Sequence, residues 1–154
     1  MKAYFSLGSN LGQRADYFTT AIPILAHGDT FRLSQVYDTE PQGGVEQESF
    51  WNLVMEIETE ATPRQLLERA RAAESASHRT REVRWGPRTL DVDVLLVGEL
   101  VSRDPDIVVP HPRMWERRFV LVPLRELAPD LVSLEALERA HGEVTALGTL
   151  ASLS

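Results

Sequence analysis

The amino-acid sequence predicts a single α+β domain in which helices pack against a mainly antiparallel sheet. Two kinds of apolar pattern support this class: segments that alternate apolar and polar residues, typical of strands, and segments with apolar residues at helical spacing. The 154 residues suffice for one hydrophobic core, and they contain no internal repeat or linker-like stretch. We therefore expect residues 1–154 to form one domain.

The first sixty residues predict three strands and one helix. The strands are the alternating segments 2–8, 30–38 and 50–58. The side chains predicted to face the core from the first and third strands are Ala3, Phe5, Leu7, Trp51, Leu53, Met55 and Ile57. Residues 13–27 show helical spacing, kinked by Pro23, and Gly28 is a helix-stop signal. The stretch 39–49, rich in polar residues with Pro and Gly, predicts a loop whose length suggests a function.

The rest of the chain continues this alternation. Thr62 and Gln65 form a capping box around Pro63, which predicts a helix that runs to about Ser77. The segments that follow are an Arg-rich loop at 78–88, a strand at 89–97 with Leu90, Val92, Val94 and Leu96 on one face, a turn at Gly98, a short strand at 99–102 or 107–109, and helical patterns at 112–128 and 134–147. The order β-α-β-β-α-β matches the split βαβ, ferredoxin-like arrangement and predicts a two-layer sandwich.

Composition and charge argue against several classes of function. The net charge of −7 disfavours non-specific nucleic-acid binding, and the absence of cysteine removes disulfides and thiolate metal sites. No run of 18 apolar residues predicts a membrane span, and the N-terminus does not resemble a signal peptide. With Lys2 as the only lysine, the sequence has no P-loop motif. We expect a cytoplasmic monomer without nucleic-acid or membrane partners.

Two carboxylates interrupt the apolar pattern of the strand at 89–97. Asp91 and Asp93 point to the face opposite the apolar residues, with backbones about 6.6 Å apart. Mg²⁺ takes one or two carboxylates together with water and phosphate oxygens, and two ions roughly 4 Å apart can clamp a phosphate chain. The alternative is a strand end that faces solvent, and a lone D-x-D pattern leaves both interpretations open.

Arginines surround this pair in the sequence. Arg79, Arg81, Arg84 and Arg88 precede the carboxylates, and arginine binds phosphate oxygens in a bidentate manner. Carboxylates for Mg²⁺ beside arginines are the composition that phosphoryl transfer requires, although these arginines could simply pair with the aspartates. Trp85 either stacks on a ring or anchors the loop to the core.

Two other segments are candidates for binding. His111, between two prolines, is followed by Arg113, Arg117 and Arg118, a composition that suits an anion, although a lone histidine is more often structural. Phe119 begins an apolar stretch and belongs by default to the core. Asn52 and Phe50 lie opposite the core face of their strand; the amide suits the edge of a heterocycle or is merely a polar residue facing solvent.

The motif RWGPRTLDVDVLL resembles the signature of the hydroxymethyl-dihydropterin pyrophosphokinases, a family of the folate pathway. Three further landmarks of the family occur in order, SLGSNLG, YDTEPQGGVEQESFWN and VPHPRMWERRFVLVPLRELAP, so that the resemblance covers roughly residues 2–131. It implies a ferredoxin-like α+β fold and transfer of the terminal pyrophosphoryl group of ATP to the hydroxymethyl group of a reduced pterin, with AMP as the other product.

The resemblance also implies three groups of site residues. The catalytic residues, of which the two aspartates bind two Mg²⁺ ions, are Arg79, Arg88, Asp91 and Asp93. The residues implied to bind ATP or to lie in the loop that closes over it are Leu67, Arg71, Glu74, Arg81, Arg84, Trp85, His111 and Arg117. The residues implied to bind the pterin are Thr39, Gln42, Phe50, Asn52 and Phe119. The sequence departs from some members at Glu40 and Pro112, and it carries no second folate-pathway domain, so we expect a monofunctional enzyme.

Two other classes of protein share some of these features. An RNA-recognition module has the same fold, but it presents aromatic and basic residues on its sheet, where this chain has Asp91 and Asp93. A nucleotidyl transferase also uses paired aspartates and two metals, but it cleaves at the α-phosphorus and releases pyrophosphate. The reaction product therefore distinguishes the classes.

Overall fold

The computed structural model describes residues 1–9, 14–39, 50–79 and 90–153. Its strands are β1 (Lys2–Ser9), β2 (Phe31–Leu33), β3 (Val36–Thr39), β4 (Phe50–Glu58), β5 (Asp91–Val97), β6 (Ser102–Asp104), β7 (Ile107–Val109) and β8 (Val144–Gly148). Its α-helices are α1 (Arg14–Ala26), α2 (Pro63–Arg79), α3 (Arg118–Leu127), α4 (Leu134–Arg139) and α5 (Leu150–Leu153). Short 3₁₀ helices span Met114–Glu116 and Pro129–Leu131.

The main sheet has the strand order β5-β1-β4-β3-β8, with β2 also paired to β4. Every pairing in it is antiparallel, so the predicted α+β class with a mainly antiparallel sheet is confirmed. Strands β6 and β7 form a separate two-stranded ribbon. In the described part of the chain, no helix is long and apolar enough to cross a membrane.

One predicted strand, 30–38, is divided into β2 and β3 at Ser34 and Gln35. The Ser34 hydroxyl accepts the backbone N–H of Val54 at 2.9 Å, and the N–H of Ser34 donates to the Val54 carbonyl at 2.9 Å. The serine side chain thus takes a position that a backbone carbonyl would hold in a regular ladder. This local substitution explains the interruption.

The first sheet face packs against α1 and α2, as the alternation predicted. Side chains of β1 and β4 that are at most 1% exposed form the centre of this core: Ala3, Phe5, Leu7, Leu53, Met55 and Ile57. Helix α2 begins at the predicted capping box, because the N–H of Gln65 donates to Thr62 Oγ1 at 3.2 Å and the N–H of Thr62 donates to Gln65 Oε1 at 2.9 Å.

The second sheet face is covered in part by α3. Buried Val120, Leu121 and Leu124 of this helix pack with Tyr4 and Val54 of the sheet in a second hydrophobic cluster. The sheet is therefore buried on both faces at this end, which adds a third layer to the predicted two. Because α3 covers only part of the face, the remainder is left to form a cavity.

A β-bulge in β5 changes which of its side chains face the core. On β1, Tyr4 pairs with Leu96 and Phe5 pairs with Val94, so Leu95 is the extra residue. Leu95 joins the second cluster, and Leu96 packs against the same cluster. The prediction that Leu96 shares the core face of Leu90, Val92 and Val94 is wrong, because the extra residue reverses the alternation.

The predicted helix at 134–147 is correct only for its first half. Helix α4 ends at Arg139, and the chain reverses at Gly142, whose φ of +112° favours glycine. Residues Val144–Gly148 then form β8 along the edge of β3. The backbone groups on that edge form hydrogen bonds with β8, a long-range pairing that the local pattern did not indicate.

The two short strands predicted as alternatives are both present. The strand predicted at 99–102 begins later, as β6, and the strand predicted at 107–109 is β7.

Candidate active site

A cavity of about 960 Å³ lies on the second sheet face, where α3 no longer covers it. Adjacent strands contribute its floor. In sheet order the lining residues are Asp91 and Asp93 from β5, Ser6 and Gly8 from β1, Phe50 and Asn52 from β4, and Thr39 from β3. The opposite wall consists of Arg113, Glu116, Arg117, Phe119, His141 and Gly142. Acidic, amide and aromatic groups predicted from separate motifs therefore share one cavity.

Asn52 is held in a buried position at the centre of the floor. Its side chain is 4% exposed, and its Nδ2 donates to Thr39 Oγ1 at 2.8 Å. The alternative of a solvent-facing amide is therefore wrong. Gly8 lies opposite Asn52 in the ladder, and a Cβ at position 8 would stand 2.8 Å from Asn52 Oδ1. The amide thus occupies space that only a glycine leaves open, and Gly8 becomes a site residue that the sequence analysis missed within SLGSNLG.

Asp91 and Asp93 project from β5 into the other end of the cavity. They pair with Gly8 and Ser6 of β1, and the Asp93 side chain is 46% exposed. Two neighbouring carboxylates on the cavity floor fit a hard divalent cation, which needs few protein ligands when phosphate and water supply the others. No group of three or more His, Asp or Glu side chains suited to a metal occurs within residues 1–9, 14–39, 50–79 and 90–153.

His111 lies next to this carboxylate pair. Its Nε2 is 3.9 Å from Asp93 Oδ1, and its Nδ1 accepts the backbone N–H of Arg113 at 3.2 Å. The backbone N–H of His111 donates to the carbonyl of Leu95, the bulge residue of β5, at 2.9 Å. The bulge therefore anchors the His-Pro segment beside the strand that carries the aspartates.

The surroundings of His111 lower its pKa and so favour the neutral imidazole. Burial lowers the pKa of the imidazole, Asp93 opposes this shift, and the positive charges of Arg117 and Arg113 add to it. Because Nδ1 is an acceptor, the neutral ring carries its proton on Nε2. His111 consequently presents an N–H donor on the side of Asp93.

Aromatic and cationic groups form the opposite wall. The guanidinium of Arg117, the residue before α3, lies 5.6 Å from the centre of the Phe119 ring, within range of a cation–π interaction. Phe119 and Phe50 are both half-buried and line the cavity from α3 and β4. Phe119 therefore lines the same cavity as the two aspartates, and it also packs against the second cluster.

Three predicted nucleotide-binding residues on α2 are not among the residues that line this cavity. Leu67 packs against the first core, Arg71 is exposed, and Glu74 Oε2 accepts the backbone N–H of Val92 at 3.0 Å. That bond satisfies a donor on the outer edge of β5 and so supports the strand that carries Asp91 and Asp93. The predicted site residues outside the described residues are Gln42, Arg81, Arg84, Trp85, Arg88 and the side chain of Arg79.

Several lining residues were not among the predicted site residues. Arg113 was noted only as part of a basic segment, while Ser6, Glu116 and His141 were not singled out. The alternation of β1 could have placed Ser6 beside Asp93, because both face away from the first core. His141 carried no local signal, since its position depends on the return of the chain after α4.

The chain is similar to one protein family and to several curated proteins. A family model described as 7,8-dihydro-6-hydroxymethylpterin-pyrophosphokinase (HPPK) matches residues 4–129. Three similar curated proteins each bear the name 2-amino-4-hydroxy-6-hydroxymethyldihydropteridine pyrophosphokinase. That of Bacillus subtilis is 44% identical over 132 residues, which cover 84% of this chain and 79% of that protein. That of Methylorubrum extorquens is 45% identical over 134 residues, 85% of each chain. That of Pseudomonas aeruginosa is 41% identical over 133 residues, 84% of this chain and 82% of that protein.

Proposed function

The chain belongs to the 7,8-dihydro-6-hydroxymethylpterin-pyrophosphokinase family, and from this premise we propose that it transfers the pyrophosphoryl group of ATP to 6-hydroxymethyl-7,8-dihydropterin. The products are AMP and the pterin diphosphate, in a step of folate biosynthesis. One observation carries the assignment of the site: a single cavity joins the carboxylates of β5 to the aromatic and amide groups of β4 and α3.

The pterin end is assigned to Phe50, Phe119, Asn52 and Thr39. Two half-buried rings suit the faces of a planar bicycle, and a buried amide suits its hydrogen-bonding edge. The bond from Asn52 Nδ2 to Thr39 Oγ1 fixes the orientation of the amide before substrate arrives. The remaining N–H and the carbonyl oxygen of Asn52 are then available to read the substrate edge, and Gln42 is proposed to assist.

The phosphate end is assigned to Asp91, Asp93, His111 and Arg117. An ATP-using pyrophosphokinase requires a divalent metal, and we assign two Mg²⁺ ions to the two carboxylates. When bound, such ions neutralise the negative charge of the polyphosphate. Arg117 adds a cation from the opposite wall, and neutral His111 adds an N–H donor. The side chains proposed to complete the nucleotide site are Leu67, Arg71, Glu74, Arg79, Arg81, Arg84, Trp85 and Arg88.

The transfer depends on how the protein positions its two substrates, and it needs no covalent intermediate with the protein. The hydroxymethyl oxygen attacks the β-phosphorus, the bond from that phosphorus to the bridging oxygen of AMP breaks, and the hydroxyl proton is released to solvent. Asn52 and the two phenylalanines hold the attacking group, while the phosphate end holds the electrophile. Holding both in one cavity supplies most of the rate enhancement of such a transfer.

The finer features of the fold and of the protein's state are also proposals. The order β5-β1-β4-β3, with α1 and α2 on one face, supports a ferredoxin-like core to which α3 and β8 are added. We propose that residues 1–154 form one pyrophosphokinase domain that works as a cytoplasmic monomer without a nucleic-acid or membrane partner. Sedimentation at micromolar concentration tests the monomer.

An assay of AMP formation tests the function. The purified protein is incubated with ATP, Mg²⁺ and 6-hydroxymethyl-7,8-dihydropterin, and the nucleotide products are separated by chromatography. Stoichiometric AMP and pterin diphosphate support the proposal. Release of pyrophosphate with a nucleotidylated product would instead identify a nucleotidyl transferase. Absence of any reaction would indicate a binding protein without this activity.

A further inference from the structure

The C-terminal part of the chain contributes to the cavity although it lies beyond the family match. The match ends at residue 129, yet His141 and Gly142 line the cavity together with Arg117 and Phe119. We call the turn between α4 and β8, residues 140–143, the cavity segment. A segment beyond the residues that the family model matches is therefore in a position to contact substrate.

Backbone hydrogen bonds hold this cavity segment against α3. The N–H of His141 donates to the carbonyl of Glu116 at 3.0 Å, and the carbonyl of His141 accepts the N–H of Arg118 at 3.1 Å. Arg118 is the first residue of α3, which has no side-chain cap. The His141 carbonyl therefore satisfies one of the donors that a helix start leaves open. Ala140, 5% exposed, anchors the segment in the second hydrophobic cluster.

The sheet places this segment at the pterin end of the cavity. Val144, the first residue of β8, pairs with Thr39, which holds Asn52 through its hydroxyl. In the order β5-β1-β4-β3-β8, four strand spacings separate β8 from the strand of the aspartates, which corresponds to roughly 19 Å. His141 itself forms a parallel β-bridge with Arg117, two residues before Phe119, so it lies on the cavity wall that carries this ring.

We propose that His141 is a further substrate-binding residue, which contacts the reduced pterin at the edge of its pocket. The inference rests on the proposed function, because it assigns a residue to the pterin site of that reaction. An imidazole offers a flat ring, an N–H donor and an acceptor nitrogen, all of which suit a heterocycle rich in polar edge atoms. The backbone bonds of His141 are independent of its side chain, so the imidazole is available to the ligand.

Substitution of His141 tests the assignment. Backbone hydrogen bonds to Glu116 and Arg118 hold the segment in place whatever the side chain is. His141→Ala and His141→Gln are compared with the wild type and with Glu143→Ala, an exposed neighbour outside the cavity lining. The reduced hydroxymethyl pterin is titrated calorimetrically into each protein with Mg²⁺ and α,β-methylene-ATP. Loss of one hydrogen bond should weaken pterin affinity about tenfold in His141→Ala, and less in His141→Gln. Glu143→Ala should bind as the wild type does.

Two further measurements distinguish substrate binding from a structural role. A structural role of His141 would change the affinity for α,β-methylene-ATP and the thermal unfolding midpoint. Both should remain unchanged in the His141 variants. An unchanged pterin affinity in His141→Ala overturns the inference, and so does an equal loss of affinity for the nucleotide analogue. If His141→Ala does not fold, His141→Gln supplies the same comparison. Failure of the wild type to form AMP would contradict the proposed function instead, and that assay is performed first.

Discussion

Gly8 and Asn52 face each other on β1 and β4, so closely that a methyl group at position 8 would stand 2.8 Å from Asn52 Oδ1. The contact couples the SLGSNLG segment to the amide that is proposed to read the pterin edge. Both residues lie in the sheet, and Asn52 is buried. These two positions of the cavity floor are thus in contact without any ligand, and changes at position 8 should act through Asn52.

Gly8→Ala should displace the Asn52 side chain and weaken pterin binding by an order of magnitude or more. Forcing a methyl group into a packed site also costs about 1–3 kcal/mol of unfolding free energy. Pterin affinity is measured by titration, and stability by urea denaturation. In an Asn52→Ala background the methyl group has room, so Gly8→Ala should cause little further loss of affinity. Wild-type pterin affinity in the single variant would contradict the coupling.

Asp93→Asn should abolish most of the Mg²⁺-dependent turnover while the fold persists. The substitution preserves shape but removes one of the two carboxylate charges on β5, and the loss of a key electrostatic group costs about 10²–10³ in rate. Initial rates of AMP formation are measured over a range of Mg²⁺ concentrations, and EDTA should stop the wild-type reaction reversibly. Asp130→Asn, an exposed aspartate outside the cavity lining, is the matched control. Near-normal turnover in Asp93→Asn would refute the metal assignment.

Phe119→Ala should weaken pterin binding with little change for the nucleotide. Its ring lines the cavity beneath the guanidinium of Arg117, so its removal deletes a flat apolar surface of the pterin end. An affinity loss of about 1–3 kcal/mol is expected for a lost stacking and packing contact. Trp115→Ala removes a neighbouring aromatic that is 41% exposed and outside the cavity lining, and should leave pterin affinity intact. Equal losses of pterin affinity in the two variants would indicate that Phe119 has a purely structural role.

Glu56→Gln should destabilise the protein at neutral pH and much less in acid. Glu56 is buried under α3, where Arg32 donates to Glu56 Oε2 at 2.6 Å and the Tyr4 hydroxyl donates to the same oxygen at 3.2 Å. Burial alone raises the pKa of the Glu56 carboxyl, but the bonds and charge of Arg32, together with Tyr4 and Lys2, hold it below its usual range overall. Weakening a buried charged hydrogen bond costs about 1–3 kcal/mol.

The sign of the pH dependence follows from the lowered pKa. A carboxyl with a depressed folded-state pKa stabilises the protein above its unfolded-state pKa, and this contribution is lost as the pH falls through the folded-state value. Wild type and Glu56→Gln should therefore differ in unfolding free energy at pH 7; the difference should begin to shrink below about pH 4 and vanish once the pH lies below the folded-state pKa of Glu56. Glu58→Gln, at an exposed ion pair with the N-terminus, should change stability little at any pH. A pH-independent difference for Glu56→Gln would contradict this account.

The faces of β1 and β4 were predictable from sequence because their alternation is strict. Phe5 and Met55 fall on the core face with no exposure, and Asn52 falls on the cavity face. The capping box at Thr62 and Gln65 was equally readable, since both partners lie within one turn. The resemblance of the motifs then led to the family, which the match over residues 4–129 confirms.

The bulge at Leu95, the strand β8 and the position of His141 were not readable in this way. Each depends on a partner far away in the chain: Leu95 on the register with Tyr4, β8 on the edge of β3, and His141 on the start of α3. Local periodicity reports which side chains share a face, but it does not report which backbone groups need a distant partner.

The α+β class, the main core faces, the position of two carboxylates on one strand and the family could all be predicted from the amino-acid sequence. The folded structure was needed to show that Gly8 makes room for Asn52, that the Leu95 carbonyl holds His111 beside Asp93, and that the C-terminal segment returns to the cavity. The physical reason is that hydrophobic alternation acts between neighbouring residues, whereas register, close contact and edge pairing arise only when distant segments meet and satisfy one another's hydrogen bonds.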